Sequence, residues 1–357
     1  MKSILDFSLI EIENEIEKNN MPKYRAKQIF NWIYKKFIFD FDKMTNLPKD
    51  TIKFLSENYK INTINKVEYL SDNECIKLLF KTYDDLFFET VIIHDDKNKS
   101  HLTLCVSSQI GCPIGCLFCA TGKIGFKRNL EINEIISQIL IVESFLNINN
   151  IIKKRMLTNI VFMGMGEPML NYENVIKSIK ILNEKDGYNI GYRNITISSI
   201  GIPYLIDKLA NENFQIRLAI SLHSPFQNIR EKLIPIAKNL NLDLLIESLI
   251  RYQKKKDKRI TFEYVLIKNL NTREIDAKQI GNLLKNLKFN LNLIVFNPFE
   301  ENYNYRPSKK EINEFILFLK KYKIPFVIRK SKGSKIRAGC GQLGLFYYKN
   351  YERISEK

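Results

Sequence analysis

The chain predicts an α/β fold: a parallel sheet, curved or barrel-like, preceded by a small helical segment and a strand-rich bridge. Three observations carry this. From about residue 131 to 329, helix-patterned and strand-patterned segments alternate, the signature of parallel strands joined by crossover helices. Before them, residues 65–97 hold short apolar runs, KVEYL, CIKLLF and LFFETVII, separated by polar turns. Residues 1–64 instead space their apolar residues for helices.

Taken in order, Ile10, Ile12 and Ile16 suit a first amphipathic helix, Tyr24 to Phe37 a second, and Lys49 to Asn58 a third after Pro48. The second, YRAKQIFNWIYKKF, mixes Arg25, Lys27, Lys35 and Lys36 with Phe30, Trp32, Ile33 and Tyr34. That pattern suits either a core stripe with solvated charges or a module that docks on RNA backbone. In the bridge, turns are expected at Ser71-Asp72-Asn73 and at Asp95-Asp96-Lys97-Asn98. Glu89 interrupts the apolar strand LFFETVII, and alternation alone would let it point outward. The alternating units that follow supply six or seven strands, fewer than a closed eight-fold barrel. Sites in such folds sit at the C-terminal strand ends. There lie Gly164–Pro168, Ser198–Gly201, Ser221–Ser224 and Asn297–Pro298, and a shared pocket on that rim is expected. The glycines of GMGEP (164–168) permit close backbone approach to a ligand, and Glu167 can accept from an amine.

Four of the six cysteines fall in CVSSQIGCPIGCLFC, residues 105–119. Cys112, Cys116 and Cys119 are spaced Cys-x3-Cys-x2-Cys, with Gly111 and Gly115 letting the loop fold back. Three thiolates select an iron–sulfur cluster or zinc. A closed zinc site wants four ligands, and no second Cys or His pair lies nearby, so the cluster is the stronger reading. Cys340, in AGCGQL, suits either a packed thiol or a mobile nucleophile that partners Cys105. Cys75 reads as core.

With 357 residues and 45% hydrophobic content, the chain can build one large domain plus a small one. No apolar run approaches the ~18 residues of a membrane helix, and the acidic N-terminus lacks a signal-peptide pattern. A cytoplasmic, monomeric protein is expected. In that compartment clustered thiols bind metal or react and do not form a disulfide framework. The net charge of +17 fits a polyanionic partner, and fits equally the Lys-, Asn- and Ile-rich drift of an AT-rich genome. The run RYQKKKDKR (251–259) reads first as a solvated face and second as an RNA contact.

The cysteine spacing, with Phe118 before the last cysteine and GMGEP one βα unit later, resembles the radical S-adenosylmethionine superfamily. CVSSQIGCPIGCLFCATG, GFKRNL, FMGMGEPMLNYENV, ISLHSP, NPF and AGCGQL together resemble the RlmN methyltransferases, and YRAKQIFNWIYKKF resembles that family's N-terminal module. The resemblance implies a partial (β/α)6 radical-SAM barrel over residues 98–336, an RNA-docking module over 1–64, the bridge over 65–97 and a tail over 337–357. It implies methylation of adenosine carbon 2 in 23S ribosomal RNA and, in many members, of the adenosine 3′ of the tRNA anticodon. It implies one [4Fe-4S] cluster on Cys112, Cys116 and Cys119 and two molecules of S-adenosylmethionine per turnover. One binds at the cluster's open iron, against Gly166, Glu167, Ser198, Ser221, Leu222, His223 and Asn297. By the same resemblance Cys340 carries the methyl group, Glu89 accepts the proton from carbon 2, and Cys105 releases the product through a transient disulfide with Cys340. A flavodoxin or ferredoxin would supply the electron.

The family usually carries acidic residues just before the methyl-carrying cysteine. Here the run is SKIRAGC, with Lys335 and Arg337 in those places, which leaves open how that loop is anchored. A Cfr-like enzyme acting on adenosine carbon 8, a catalytically silent cluster-bearing RNA-binding protein and a radical enzyme with a small substrate are the competing readings.

Overall fold

The computed structural model describes residues 1–61, 63–95, 101–148, 154–299 and 302–345. The N-terminal segment closes on itself: β1 (Lys2–Ser3) pairs in parallel with β2 (Tyr59–Lys60). Between them run α1 (Leu9–Lys18), α2 (Tyr24–Phe30) and α3 (Lys49–Asn58). A reciprocal cap starts α1. The Ser8 hydroxyl accepts from the Glu11 amide, and the Glu11 carboxylate accepts from the Ser8 amide at 2.6 Å. Its buried stripe is Leu9, Ile12 and Ile16, whereas Ile10 is 67% exposed. Ile12 and Ile16 are buried as expected and Leu9 takes the place expected of Ile10, because positions 9, 12 and 16 share a helical face and 10 does not. The second helix covers its expected span but is α-helical only over Tyr24–Phe30. It passes into a π-helical stretch at Asn31–Lys35 and ends at Phe37, whose φ is +54°. Phe30, Ile33 and Tyr34 are core, while Lys36 Nζ lies 3.5 Å from the Trp32 ring centroid.

The bridge comprises β3 (Ile64–Ser71), β4 (Cys75–Thr82) and β5 (Phe87–His94), followed by β6 (Leu102–Cys105) and β7 (Gln109–Gly111). At the first expected turn, the Asp72 carboxylate accepts from the amides of Glu74 and Cys75; most of the second expected turn lies outside the described residues. After the cysteine loop come α4 (Ala120–Ile124), β8 (Phe126–Asn129), α5 (Ile132–Leu146) and β9 (Leu157–Phe162). The alternation continues through α6 (Tyr172–Asn183), β10 (Ile195–Ser199), α7 (Pro203–Ala210) and β11 (Arg217–Ser221). It then runs through α8 (Gln227–Leu233), α9 (Leu242–Lys256), β12 (Ile260–Leu266) and α10 (Glu274–Leu284). It ends with β13 (Phe289–Val295), α11 (Lys309–Lys321) and β14 (Phe326–Arg329).

One ten-stranded sheet has the order β14-β13-β12-β11-β10-β9-β6-β5-β4-β3. Every pairing from β6 to β14 is parallel, and those among β3, β4, β5 and β6 are antiparallel. The bridge is thus a wing of the main sheet. Its strand β5 is interior to that sheet, so Glu89 is buried at 1% exposure and does not point outward. Among the described residues no helix is long and apolar enough to cross a membrane.

Helix α5 pins the wing to the barrel. Its Gln138 side chain bonds the Thr90 hydroxyl and both the amide and carbonyl of Ser107. Arg128 on β8 reaches Glu134 of α5 through both terminal nitrogens, at 2.7 and 2.8 Å, and Asp84 in the β4–β5 turn at 2.7 Å. The Arg128 hydrogen bonds hold the Asp84 carboxyl down to about 2, against the opposing effect of burial. Glu134 is fully buried. Arg128→Ala should therefore strand a buried carboxylate and lower the unfolding free energy by about 3 kcal/mol. Urea denaturation checks this.

Candidate active site

The cysteine loop hangs between β7 and β8, which form their own small hairpin. Its turn needs glycine. Gly111 has φ +71°, and a Cβ there would lie 1.6 Å from the Gly125 oxygen. A Cβ on Gly122 would lie 2.9 Å from the Cys116 amide nitrogen. Main-chain bonds fix the thiols: Cys112 N donates to Gly125 O and Cys119 N to Cys116 O. Burial pushes the Cys112 thiol up to about 12, with Cys119 and Glu167 adding to the rise. Burial likewise raises Cys116, and Cys119 and Cys112 raise it further. The thiolates of Cys112 and Cys116 are thus disfavoured by burial and by the charge of neighbouring thiols until something cationic joins them. That donor set fits an iron–sulfur cluster. Among the described residues, no three His, Cys, Asp or Glu side chains are grouped to hold a single metal ion.

The GMGEP segment lies against the base of this loop. A Cβ on Gly164 would meet Ser107 Oγ at 2.7 Å, and one on Gly166 would meet Gln109 Cβ at 2.5 Å. The close approach made by these glycines is thus to the chain itself. The Glu167 carboxylate accepts from the amides of Met169 (3.1 Å) and Ile200 (2.9 Å). Burial lifts it to about 7 although these bonds oppose the rise. Ser198 and Ser221 are half-buried at the ends of β10 and β11, and Leu222 is fully buried. His223 has φ +56°, and its ring lies edge-on to Phe118 at 4.4 Å. Its Nδ1 accepts from the Val265 amide at 3.0 Å. Burial, then Arg230, depresses the imidazole to about 3, so the ring is neutral and carries its proton on Nε2.

The C-terminal segment folds back over the loop, and its main chain holds it there. Ala120 N donates to Gly341 O (2.7 Å), Thr121 Oγ1 to Leu343 O (2.9 Å), Asn297 Nδ2 to Cys340 O (3.1 Å) and Gln342 Nε2 to Pro298 O (2.8 Å). Three of these four anchors are backbone groups of the tail and the fourth is the Gln342 side chain, so the absence of acidic side chains before Cys340 does not unmoor it. The Cys340 thiol is reached by water yet ringed by protein, which pushes it up to about 11; Arg329 pulls the other way, and Glu263 and Cys119 add to the rise. Burial takes Cys105 up to about 12, with Cys340 contributing. Three thiols from three parts of the chain, Cys105, Cys119 and Cys340, thus share one chamber. All six cysteines are free. The expected Cys105–Cys340 disulfide is therefore absent: closing it is a two-electron oxidation, and both thiols are held protonated.

Four residues of this chamber escaped the sequence reading. Lys77 pairs with Glu89 at 2.9 Å with both side chains buried. Arg230 is fully buried; it donates to the Ile200 carbonyl through Nη2, while its Nε and Nη1 have no partner. Glu263 is bound by Asn292 through Oε1 and leaves Oε2 unpartnered. Arg329 lies 3.7 Å from Glu263. Lys77 and Glu263 each stand alone in an apolar strand, CIKLLF and ITFEYVL, the signal already visible at Glu89. Arg230 in QNIREKL has no such signal and looks like a surface residue. The RYQKKKDKR run is partly tied down: Arg251 bonds Asp207, and Lys256 bonds the carbonyls of Glu212 and Phe214.

Two outcomes follow from this geometry. Cys112→Ser, Cys116→Ser or Cys119→Ser should each cut the iron bound on anaerobic reconstitution from about four atoms per chain to less than half. Cys105→Ser and Cys340→Ser should leave it intact; iron and sulfide assays decide. For His223, nitrogen NMR should show the Nε2-protonated neutral ring. Its folded-state value of about 3 lies below the unfolded value of about 6.5. Its contribution to stability is therefore full above pH ~6.5 and is lost as pH falls toward ~3.

Residues 106–278 match the model of the radical SAM superfamily, and residues 2–61 match that of the ribosomal RNA large subunit methyltransferase N-terminal domain. A relative from Dictyoglomus turgidum named probable dual-specificity RNA methyltransferase RlmN is 46% identical over 98% of this chain and 99% of its own. One of the same name from Thermosipho melanesiensis is 42% identical over 96% of this chain and 98% of its own. The crystal structure of a radical SAM methyltransferase from Sphaerobacter thermophilus matches with a TM-score of 0.90 at 38% identity, covering 97% of this chain and 100% of that one. With identity at this level across nearly its whole length, the chain belongs to the RlmN family of the radical S-adenosylmethionine superfamily.

Proposed function

We propose that this protein methylates carbon 2 of an adenosine in 23S ribosomal RNA, and of the adenosine 3′ of the anticodon in tRNA, through a methyl group carried on Cys340. The observation that carries the reading is the meeting of Cys340 and Cys105 beside the cysteine loop, with Glu89 bonded to the same tail.

The residues fit the group that such chemistry needs. Thiols whose anions are disfavoured by burial and by neighbouring thiols call for a cationic centre, and the buried Asn297 Oδ1 and Glu263 Oε2 have no donor. Cys112, Cys116 and Cys119 would hold a [4Fe-4S] cluster. Gly166, Glu167, Ser198, Ser221, Leu222, His223 and Asn297 would hold S-adenosylmethionine, with two molecules used per turnover. When bound, these groups supply a methyl group and, after one-electron reduction, the radical chemistry that a non-nucleophilic aromatic carbon requires.

The chain's own residues do the rest. Cys340 takes the methyl group and presents it to the base. Glu89 takes the proton from carbon 2; burial raises its carboxyl despite the nearby Lys77, which suits a base working near neutral pH. Cys105, on losing its proton, would attack the Cys340 sulfur: a sulfur–sulfur bond forms as the sulfur–carbon bond breaks, the base leaves with its new carbon, and a thiol reductant returns both cysteines to the free form seen here. Residues 1–64 would dock RNA, 65–97 would carry Glu89 to the chamber, 98–336 would form the catalytic core and 337–357 would carry Cys340. A flavodoxin or ferredoxin would supply the electron.

The reading is tested by mass spectrometry of ribosomal and transfer RNA after incubation with reconstituted enzyme, reductant and S-adenosylmethionine. 2-Methyladenosine is expected in both RNAs. Cys340→Ala should abolish it, a loss of at least about a thousandfold, and Cys105→Ala should accumulate protein joined covalently to RNA. Formation of 8-methyladenosine instead, or full turnover by Cys340→Ala, would overturn the proposal.

A further inference from the structure

Glu89 does not face an empty chamber. It lies on β5 opposite Leu79 of β4, and Lys77, two residues earlier on β4, projects from the same face. Diagonal neighbours on adjacent strands are within reach of long side chains. Lys77 Nζ sits 2.9 Å from Glu89 Oε1, with side-chain exposures of 2% and 1%. The same ammonium donates to the carbonyl oxygen of Arg337 at 3.3 Å. The other carboxylate oxygen, Glu89 Oε2, accepts from the Gly344 amide at 2.6 Å. Arg337 and Gly344 bracket Cys340. One buried ion pair therefore grips the Cys340 loop at both ends.

We propose that Lys77 is a positioning residue that forms with Glu89 a clamp on the Cys340 loop, and that arrival of a proton on Glu89 opens the clamp. An ionised carboxylate makes a short, strong bond with the Gly344 amide. Protonated, it is a weaker acceptor, and Lys77 is left as a buried cation without its counter-charge. Both grips fail together because they share one charge. The loop has reason to spring: Arg337 is held at φ +53°, a conformation that is strained for a residue with a side chain. The other charged group acting on Glu89 is Glu68 of β3, which opposes its ionisation. Its remaining neighbours here are uncharged: Met165 Sδ near its amide, and the Ser107 hydroxyl on its carbonyl.

The consequence for turnover rests on the reading of Glu89 as the proton acceptor. The proton leaves carbon 2 only after the new carbon–carbon bond has formed. The loop is then gripped while the methyl group is transferred and loosened once the base has been methylated. That ordering lets the product leave and exposes Cys340 to its next methyl group. The clamp itself stands on the geometry alone.

Hydrogen exchange on the full-length reconstituted protein, without RNA, tests the clamp. Glu89→Gln fixes the neutral form. Peptides covering 333–345 should then exchange about tenfold faster or more, while those covering 103–119 stay as in wild type. In wild type, tail exchange corrected for intrinsic rates should rise as pH is lowered, beginning above the ordinary glutamate value of about 4.3 because burial raises this carboxyl, and in Glu89→Gln this dependence should vanish. A purely structural pair would show no such pH dependence. Lys77→Met strands a buried carboxylate and can lose the fold. The uncharged double variant Lys77→Met with Glu89→Gln avoids that and should show the same fast tail. Equal tail protection in Glu89→Gln and wild type, or a wild-type tail indifferent to pH, would overturn the clamp. Turnover separates the two readings. If Glu89→Gln loosens the tail but still methylates RNA, the proton-acceptor role falls and the clamp stands. If it is inactive with a protected tail, the clamp falls.

Discussion

The structure depends on one closure, the hydrogen bond from the Ala120 amide to the Gly341 carbonyl at 2.7 Å. It joins the end of the cysteine loop to a segment more than two hundred residues further along the chain. The closure is tight enough to dictate residue type. Gly341 has φ +82°, and a Cβ there would lie 2.7 Å from the Phe118 oxygen, so only glycine serves without a shift. With that seam closed, Cys340 is set beside Cys119 and Cys105, Asn297 is engaged by the Cys340 carbonyl, and Gly344 is delivered to Glu89. The chamber is therefore not a property of the barrel alone. The barrel supplies its walls, and the tail supplies both its lid and the exposed Cys340.

The chamber's walls are costly, and the cost points inward. Buried polar atoms in folded proteins nearly always find partners. Here Arg230 leaves two nitrogens unmatched, and Glu263 and Asn297 leave one oxygen each. A guanidinium with no carboxylate beside it is an expensive thing to bury. Its neighbours are the Cys116 thiol and neutral His223. The placement makes sense if the cysteines are thiolates gathered on an inorganic centre, because the cation then faces net negative charge. The same logic covers the cysteines themselves, whose raised thiols show how poorly this pocket tolerates three lone anions. Several of the unmatched buried donors and acceptors, those of Arg230, Glu263 and Asn297, lie where a charged guest would match them.

Much of this was legible in the sequence, for physical reasons that differ by element. The parallel units were readable because each buries a strand between crossover helices, and the apolar runs state that locally. Helix α7 began at Pro203 as expected, since proline at the first turn is its own signal. The cysteine loop was legible because a cluster imposes its spacing on consecutive residues. What failed was phase and partnership. Ile10 was placed inside and lies outside, because two neighbouring isoleucines leave the helical face ambiguous by a single residue. Glu89 was allowed to point outward because alternation cannot tell an edge strand from an interior one. Joining of the bridge to the barrel depends on β6 pairing with β9 across the cysteine loop, a register that no local pattern encodes. Arg230 was invisible, since a basic residue in a short polar helix is ordinarily solvated.

The tail shows why one departure from the family's pattern carries little weight. A loop anchored by side chains loses its grip when those side chains change. This loop is anchored by carbonyls and amides, at Gly341, Leu343, Cys340, Arg337 and Gly344, and these persist whatever residue stands at Lys335 or Arg337. Of the side chains that do the gripping, Lys77, Glu89, Asn297 and Thr121 lie in the core and Gln342 alone of those named lies on the tail. The constraint has moved from the tail's own sequence to distant strands, where a charge in an apolar run records it. Side chains on the tail are then free to drift toward the lysine-rich composition of the rest of the chain. A charge that seems misplaced in a strand is the better guide to this active site than the residues next to its reactive cysteine.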